Sequence, residues 1–383
     1  MGVNLKDGTA AQRVGGSSAT SGNLRLNYAP GGGVDMSGWQ TFDVDVYIES
    51  PSADRTSVPL NLAFTNDSGF ANNFSLAAAN GGSIVQLVRG WNTLRFGRQD
   101  FGVAAGAPSW SSPFSIVRFN LDLVSGQVIT AAFSNLRKGA HSRTQICFVF
   151  DDQGESVYSK AFAEMSAYGF PGSVAVIGSY LGGSGVQGGY VRCTVSQLRE
   201  MIAAGWDCVN HSYLHLQNVW QNATSAQSRD EILKGQQALV DNGLSTNNSH
   251  LIYCSPFGEW SDSYLAGAQQ AGCTHFRAGI NFGITAAEML QSDTLDAAFR
   301  PVPTIVPINT STLATMKTIV DRAIGAGRHI IITMHHITDS PASSIEWSTS
   351  NFQALIRHIW SRSAACDVVN YQTWLSRVTR PTE

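Results

Sequence analysis

Two neighbouring carboxylates, Asp151 and Asp152, close the apolar run ICFVF (146–150). Carboxylates at the end of a buried strand are costly unless something uses them. A solvated strand-to-loop turn is the plainer reading of the pair taken alone. Farther on, NHSYLHL (210–216) carries His211 and His215 just past the run DCVN (207–210). On a helical turn that spacing sets two imidazoles on one side, a standard way to supply two metal ligands. A carboxylate from another strand end would complete a two-histidine, one-carboxylate site with open positions for water and substrate. The run HIIITM (329–334) leads directly into His335 and His336. Strand alternation groups Ile331, Thr333 and His335 on one face, so His335 is the one expected to point inward. Finally, YCSPFGEW (253–260) ends a further apolar run in the turn Pro256-Phe257-Gly258, which can present a backbone N–H to a developing oxyanion.

Each of these features is weak by itself, and a lone histidine pair or a Pro-Phe-Gly turn arises readily by coincidence. Their positions join them. After Arg143 the chain alternates short apolar runs with amphipathic stretches: ICFVF, helix 156–168, SVAVI (173–177), helix 195–204, DCVN, helix 225–241, LIYC (251–254) and helix 261–271. It continues with HFRA (275–278), helix 311–325, HIIITM, helix 349–362 and DVVN (367–370). Strand-then-helix repetition predicts a parallel sheet. The number of units fits a distorted (β/α) barrel of about seven or eight strands, and in a barrel catalytic groups gather at the C-terminal strand ends. All four features above fall there.

The first 140 residues read differently. All nine histidines and all six cysteines lie after residue 140. Before it come FDVDVYIE (42–49), SVPLNLAFT (57–65), NTLRF (92–96), FSIVRFNLDLV (114–124) and VITAAFSNL (128–136), mostly alternating with period two. This predicts an all-β domain over 1–140, a β-sandwich or jelly roll, followed by an α/β domain over 144–383.

The order of the chemical segments resembles the NodB-like polysaccharide deacetylases, carbohydrate esterase family 4, over about residues 144–378. Phe150-Asp151-Asp152 matches the family's first motif. His211-Ser212-Tyr213-Leu214-His215 matches its His-Ser/Thr-x-x-His motif in full. Cys254-Ser255-Pro256-Phe257-Gly258 matches the third except at its arginine, and the strand ending at His335 matches the last. The resemblance implies that Asp152, His211 and His215 hold a divalent metal, most often zinc in this family. It implies that Asp151 is the general base, that Phe257 lends its N–H to the oxyanion, and that His335 protonates the leaving group. The substrate implied is an acetylated polysaccharide. Cys254 stands where many members have an arginine that orients the catalytic aspartate, and Arg277 is the candidate to supply that guanidinium from a neighbouring strand. The family's fourth motif has no clear counterpart, FRAGIN (276–281) occupying its place. Trp220 and Trp260 follow motif loops and are candidates for a sugar platform, whereas Trp206 and Trp360 are expected in the core.

Composition narrows the partners. With 43% hydrophobic and 14% charged residues and a net charge of −3, nothing favours nucleic acid or an anionic membrane. No run reaches the length of a membrane span. The scattered cysteines at 147, 193, 208, 254, 273 and 366 read as free, buried thiols, in keeping with folding in a reducing cytoplasm. No basic-then-apolar leader opens the chain. The low charge and β-rich start suit a protein, or a fragment of a longer one such as a phage tail protein, that acts outside the cell or at a cell or virion surface. Two rivals share these residues: a catalytically inactive deacetylase fold that only binds glycans, and a non-haem iron oxygenase. For the N-terminal domain, with Trp39, Trp91 and Trp110 as candidate stacking residues, carbohydrate binding and a structural or attachment role both stand open.

Overall fold

A computed structural model describes residues 12–17, 22–49, 58–76, 85–87, 90–123, 128–139, 143–182, 186–187, 189–217, 219, 222–282 and 301–378. Trp220 lies outside them, as does the side chain of Trp91. Two compact units emerge, the first formed mainly by Met1–Ser142 and the second mainly by Arg143–Ile284 and His329–Glu383.

In the first unit the strands are β1 (Gln12–Ser17), β2 (Gly22–Tyr28), β3 (Thr41–Glu49), β4 (Val58–Thr65) and β5 (Asn73–Ser75). They continue with β6 (Val85–Leu87), β7 (Gly90–Gly97), β8 (Gly102–Ala105), β9 (Ile116–Leu123) and β10 (Val128–Lys138). They make two antiparallel sheets, one ordered β1-β10-β3-β7 and one ordered β2-β9-β4-β5-β8, with β6 beside β4. Alternation decides the packing. Val44, Val46 and Ile48 from one sheet share a single core with Leu60, Leu62, Phe64, Phe119 and Leu121 from the other. Trp39 and Trp110 pack against that core, Trp110 lying 4.8 Å from the Phe74 ring.

In the second unit the strands are β11 (Thr144–Asp151), β12 (Ser173–Val176), β13 (Val186–Gln187), β14 (Tyr190–Val191), β15 (Asp207–Asn210) and β16 (Ile252–Cys254). They continue with β17 (His275–Phe282), β18 (Pro301–Val306), β19 (Ile330–Met334), β20 (His336–Thr338), β21 (Glu346–Ser348) and β22 (Cys366–Val369). The helices are α1 (Ala163–Ser166), α2 (Val195–Ala203), α3 (Ser225–Asp241), α4 (Asp262–Gln270), α5 (Leu313–Ala326), α6 (Thr349–Trp360) and α7 (Tyr371–Val378). Seven parallel strands, β12-β15-β16-β17-β18-β19-β11, form a nearly closed barrel because β11 also pairs with β12. Two thermodynamic signals set its helices: Thr194 and Thr224 each cap a helix in a reciprocal capping box, with Gln197 and Gln227 as the partners.

Three sequence expectations are corrected. Segment 301–306 is a barrel strand although none was expected there. Pro301 and Pro303 weaken its strand signature because proline cannot donate to a ladder. The run 367–370 instead pairs with the first half of β11, outside the seven. Trp360 is 54% exposed: the apolar stripe of α6 runs through Phe352, Leu355, Ile356 and Ile359, and the next residue turns off that face. All six cysteines are free and buried, as expected.

Candidate active site at the barrel mouth

Alternation along β11 sends Cys147 and Val149 into the barrel interior with Val209, Cys254 and Ile331. Phe148 and Phe150 face the helices, where Phe150 stacks on Trp206 at 5.5 Å. Asp151 therefore continues the inward row at the C-terminal end of the strand. It meets Arg277, whose register partner on β16 is Cys254. The pair is bidentate: Arg277 Nη1 donates to Asp151 Oδ1 at 2.9 Å and Nη2 to Oδ2 at 2.7 Å. Both side chains are buried, and Arg277 Nη1 also donates to Thr333 Oγ1 at 2.7 Å. Burial opposes ionisation of Asp151, but the charge of Arg277 outweighs it and holds the pKa below the ordinary carboxylate value.

Asp152 leaves the strand in the left-handed region with φ 69°, followed by Gln153 with φ 40°. Such backbone is uncommon outside glycine and tolerated best by Asp and Asn. Two neighbours hold it. Arg192 Nη1 donates to the Asp152 carbonyl at 2.7 Å, and the buried Gln153 amide bridges to Ile177, accepting from its N–H at 2.7 Å and donating to its carbonyl at 3.1 Å. The turn aims the Asp152 carboxylate sideways: its Oδ1 is 3.4 Å from His211 Nε2 and 3.2 Å from His215 Nε2.

The two histidines do not sit on a helical turn, as their spacing suggested. Ser212 at φ 66° and His215 at φ 54° are both left-handed, and the loop folds back to bring the rings 4.8 Å apart. Backbone links from Gly178 N to the Ser212 carbonyl and from Ser179 N to the Tyr213 carbonyl tie it to the end of β12. On α3, Glu231 Oε1 accepts from both Tyr213 N at 3.0 Å and Leu214 N at 2.5 Å.

This donor set fits a divalent cation. His211 Nδ1 donates to the Cys254 carbonyl at 2.7 Å, which leaves Nε2 with its lone pair toward Asp152. Asp152 Oδ1 is buried and receives no hydrogen bond. Ligand atoms of Asp152, His211 and His215 thus converge within 4.8 Å of one another, while Arg192 Nη1 faces the other Asp152 oxygen, Oδ2, at 4.0 Å. Burial works against charge on His211, yet Asp151 and Asp152 outweigh it and raise its pKa, the response of an imidazole facing negative charge. Two nitrogens and one oxygen suit zinc or a similar first-row ion.

His335 follows β19 and lies 9% exposed, with Nε2 4.0 Å from Asp151 Oδ2. Burial lowers its pKa more than Asp152 and Asp151 raise it, so the resting imidazole is neutral at neutral pH. His336 turns the other way, pressed between Gly154 and Tyr190, whose ring stacks on it at 3.6 Å. A Cβ on Gly154 would meet His336 Nδ1 at 2.5 Å, so only glycine fits there.

Pro256, Phe257 and Gly258 form a tight turn after β16, with Phe257 left-handed at φ 55°. The Phe257 ring is 39% exposed and stands 4.7 Å from the His215 ring. Pro256 is buried. Trp260 is half-buried and packs against the apolar cluster that contains Tyr253, Tyr264 and Phe276. Sequence reading missed Gln153, Arg192 and Glu231, since nothing in their spacing marks a residue that holds another's backbone.

Residues 138–276 match the family model described as polysaccharide deacetylase, a span that contains the Asp151, His211 and Phe257 segments but ends before His335. A search of curated proteins found no match. Among solved structures the chain is similar to the carbohydrate esterase family 4 domain of a multidomain xylanase from the hindgut metagenome of Trinervitermes trinervoides. That likeness has 16% identity and a TM-score of 0.40, covering 62% of this chain and 91% of that one. It is also similar to a family 4 carbohydrate esterase from Streptomyces lividans, with 19% identity, TM-score 0.36, and 58% and 89% of the two chains covered. A family 4 pseudoenzyme from Bacillus anthracis stands at a comparable distance, with 14% identity, TM-score 0.41, and 63% and 69% covered. The family match spans barrel strands β11, β12, β15 and β16 and reaches the start of β17, so the segment 138–276 resembles the polysaccharide deacetylases, a family of deacetylating hydrolases.

Proposed function

We propose that the barrel unit removes acetyl groups from a polysaccharide, with a divalent metal, zinc by its donor set, held by Asp152, His211 and His215. The observation that carries this is the convergence of those three ligand atoms beside a separate, ionised Asp151. A bound ion would supply Lewis acidity, polarising the acetyl carbonyl and making water a better nucleophile. Asp151, ionised and fixed by Arg277, takes the proton from the attacking water. The Phe257 N–H donates to the oxygen that gains charge as the carbonyl carbon becomes tetrahedral. His335, neutral at rest, then needs a proton, and the one collected by Asp151 has only the 4.0 Å gap to His335 Nε2 to cross. Passed on to the departing amine or alcohol, it closes the balance: water is consumed, and acetate and a free sugar amine or hydroxyl leave. The exposed Phe257 ring beside His215 offers an apolar face to the sugar.

The two antiparallel sheets and the single core they share support reading the first unit as a β-sandwich that serves the barrel as a glycan-binding or attachment module. Action outside the cell or at a cell or virion surface follows from the substrate class. The test is metal removal: a chelator should abolish acetate release from an acetylated glycan, and zinc or cobalt should restore it. Undiminished acetate release by metal-free protein would end this reading. Metal binding with no acetate from any of a panel of acetylated glycans would favour the inactive glycan binder.

A further inference from the structure

Arg192 is a buried cation at the barrel mouth that takes no part in moving protons. Only 8% of it is exposed, and burying a guanidinium is costly unless its charge and donors are answered. The residue follows β14, and its backbone is joined to the loop that carries Asp152. Arg192 bridges Gly154, and Cys193 N donates to the Gln153 carbonyl at 2.8 Å. The guanidinium lies over the Tyr180 ring, 5.2 Å from its centre, and 5.9 Å from that of Tyr190, so two aromatic faces help to hold it.

Arg192 Nη1 has two targets on one residue. It donates to the Asp152 carbonyl at 2.7 Å and lies 4.0 Å from Asp152 Oδ2. The second distance is too long for a hydrogen bond, but between buried opposite charges it is an attractive contact. Oδ1 instead lies 3.4 Å from His211 Nε2 and 3.2 Å from His215 Nε2. The two oxygens of Asp152 are therefore divided, one with the histidines and one with the guanidinium. The turn does not depend on Arg192 alone for its shape, because Gln153 already ties it to Ile177 and to Cys193. What the guanidinium adds falls on the carboxylate.

We propose that Arg192 is a positioning residue that keeps Asp152 a one-oxygen ligand, with Oδ1 offered to the metal and Oδ2 withheld. The inference rests on the reading of Asp152, His211 and His215 as metal ligands. A carboxylate free to chelate through both oxygens would fill a position that a catalytic site leaves open for water and substrate. A cation beside a metal site also repels the ion, but here it faces the opposite charge of Asp152. Losing the outer support of a ligand usually weakens metal binding about 10–100-fold, so position outweighs repulsion.

Two measurements on the full-length protein test this without recourse to turnover. Competition with an indicator reads zinc affinity, and the visible spectrum of the cobalt-loaded protein reads coordination, its bands weakening as ligands are added to a four-coordinate ion. Arg192→Met should bind zinc about 10–100-fold more weakly than wild type and, saturated with cobalt, show weaker visible bands. A residue that only stabilised the loop would leave the spectrum of the saturated protein unchanged. If Arg192→Met does not fold, Arg192→Lys decides: one ammonium cannot hold the carbonyl and stand beside Oδ2 at once, so the same changes should appear in smaller measure. Wild-type zinc affinity or an unchanged cobalt spectrum in the folded variant would overturn the proposal and leave the metal reading standing. Wild-type protein that takes up neither ion would overturn both.

Discussion

Arg277 shows how a residue can be readable in type and unreadable in consequence. Its guanidinium reaches Asp151 from β17, while the strand position usual in the resembling family is Cys254 on β16. Because the two positions are register partners, a guanidinium can move one strand over and still meet the same carboxylate. Arg277→Met should leave Asp151 buried with its largest opposing charge gone. Burial then raises the Asp151 pKa, so the base is protonated over a wider range and the acid limb of the activity profile shifts to higher pH. Turnover near neutral pH should fall by about 10²-fold or more, the scale of a general base, and recover partly as pH rises. Stability should drop by about 3–5 kcal/mol, because one partner of a buried pair is removed. An unshifted acid limb in a folded variant would show that Arg277 does not tune Asp151. Four of the site positions, Asp151, Asp152, His211 and His215, were legible because their chemistry is written in side-chain type at strand ends. The left-handed backbone at Asp152, Gln153, Ser212 and His215 was not, since only tertiary partners make it affordable.

At the scale of elements, period-two and helical patterns located nearly every barrel strand and helix. They failed where local chemistry contradicts the fold, as at Pro301 and Pro303 in β18. The loop between His211 and His215 failed for a related reason: an i, i+4 pair looks helical, yet helix α3 reaches across and holds the loop open through Glu231. That contact predicts a separation of variants. Glu231→Gln keeps an acceptor for both the Tyr213 and Leu214 N–H groups and should bind zinc within a few-fold of wild type. Glu231→Ala leaves both donors unpaired and should weaken zinc binding by about 10–100-fold, the usual cost of losing an outer support of a ligand. Competition with a zinc indicator reads this directly, and wild-type affinity in Glu231→Ala would mean that the loop holds its shape unaided.

For the molecule as a whole, a buried carboxylate at the far end of the barrel from the candidate site ties stability to pH. Asp207 begins β15 fully buried, accepting from Gln372 N of α7 at 3.0 Å while its Oδ1 has no donor. Burial raises its pKa to about 6, against hydrogen bonds from Ser173, Gln372 and Tyr371. The folded state therefore holds this proton more tightly than the unfolded chain. Stability contributed by the protonated form is present below the unfolded pKa near 4 and is lost as pH rises through about 6. Asp207→Asn should raise Tm at pH 8, by up to about 3 kcal/mol of unfolding free energy, with the gain vanishing toward pH 4. A variant less stable than wild type at pH 8 would contradict this. The central claim concerns the opposite end, where neighbouring carboxylates are assigned different work. The decisive measurement is bound zinc together with acetate release for Asp151→Asn and Asp152→Asn. The account predicts that Asp151→Asn keeps its zinc but loses about 10²–10⁴-fold in turnover. It predicts that Asp152→Asn loses zinc and regains part of its activity at high zinc concentration. Zinc lost from Asp151→Asn and kept by Asp152→Asn would swap the two roles, and full activity in both would contradict the mechanism.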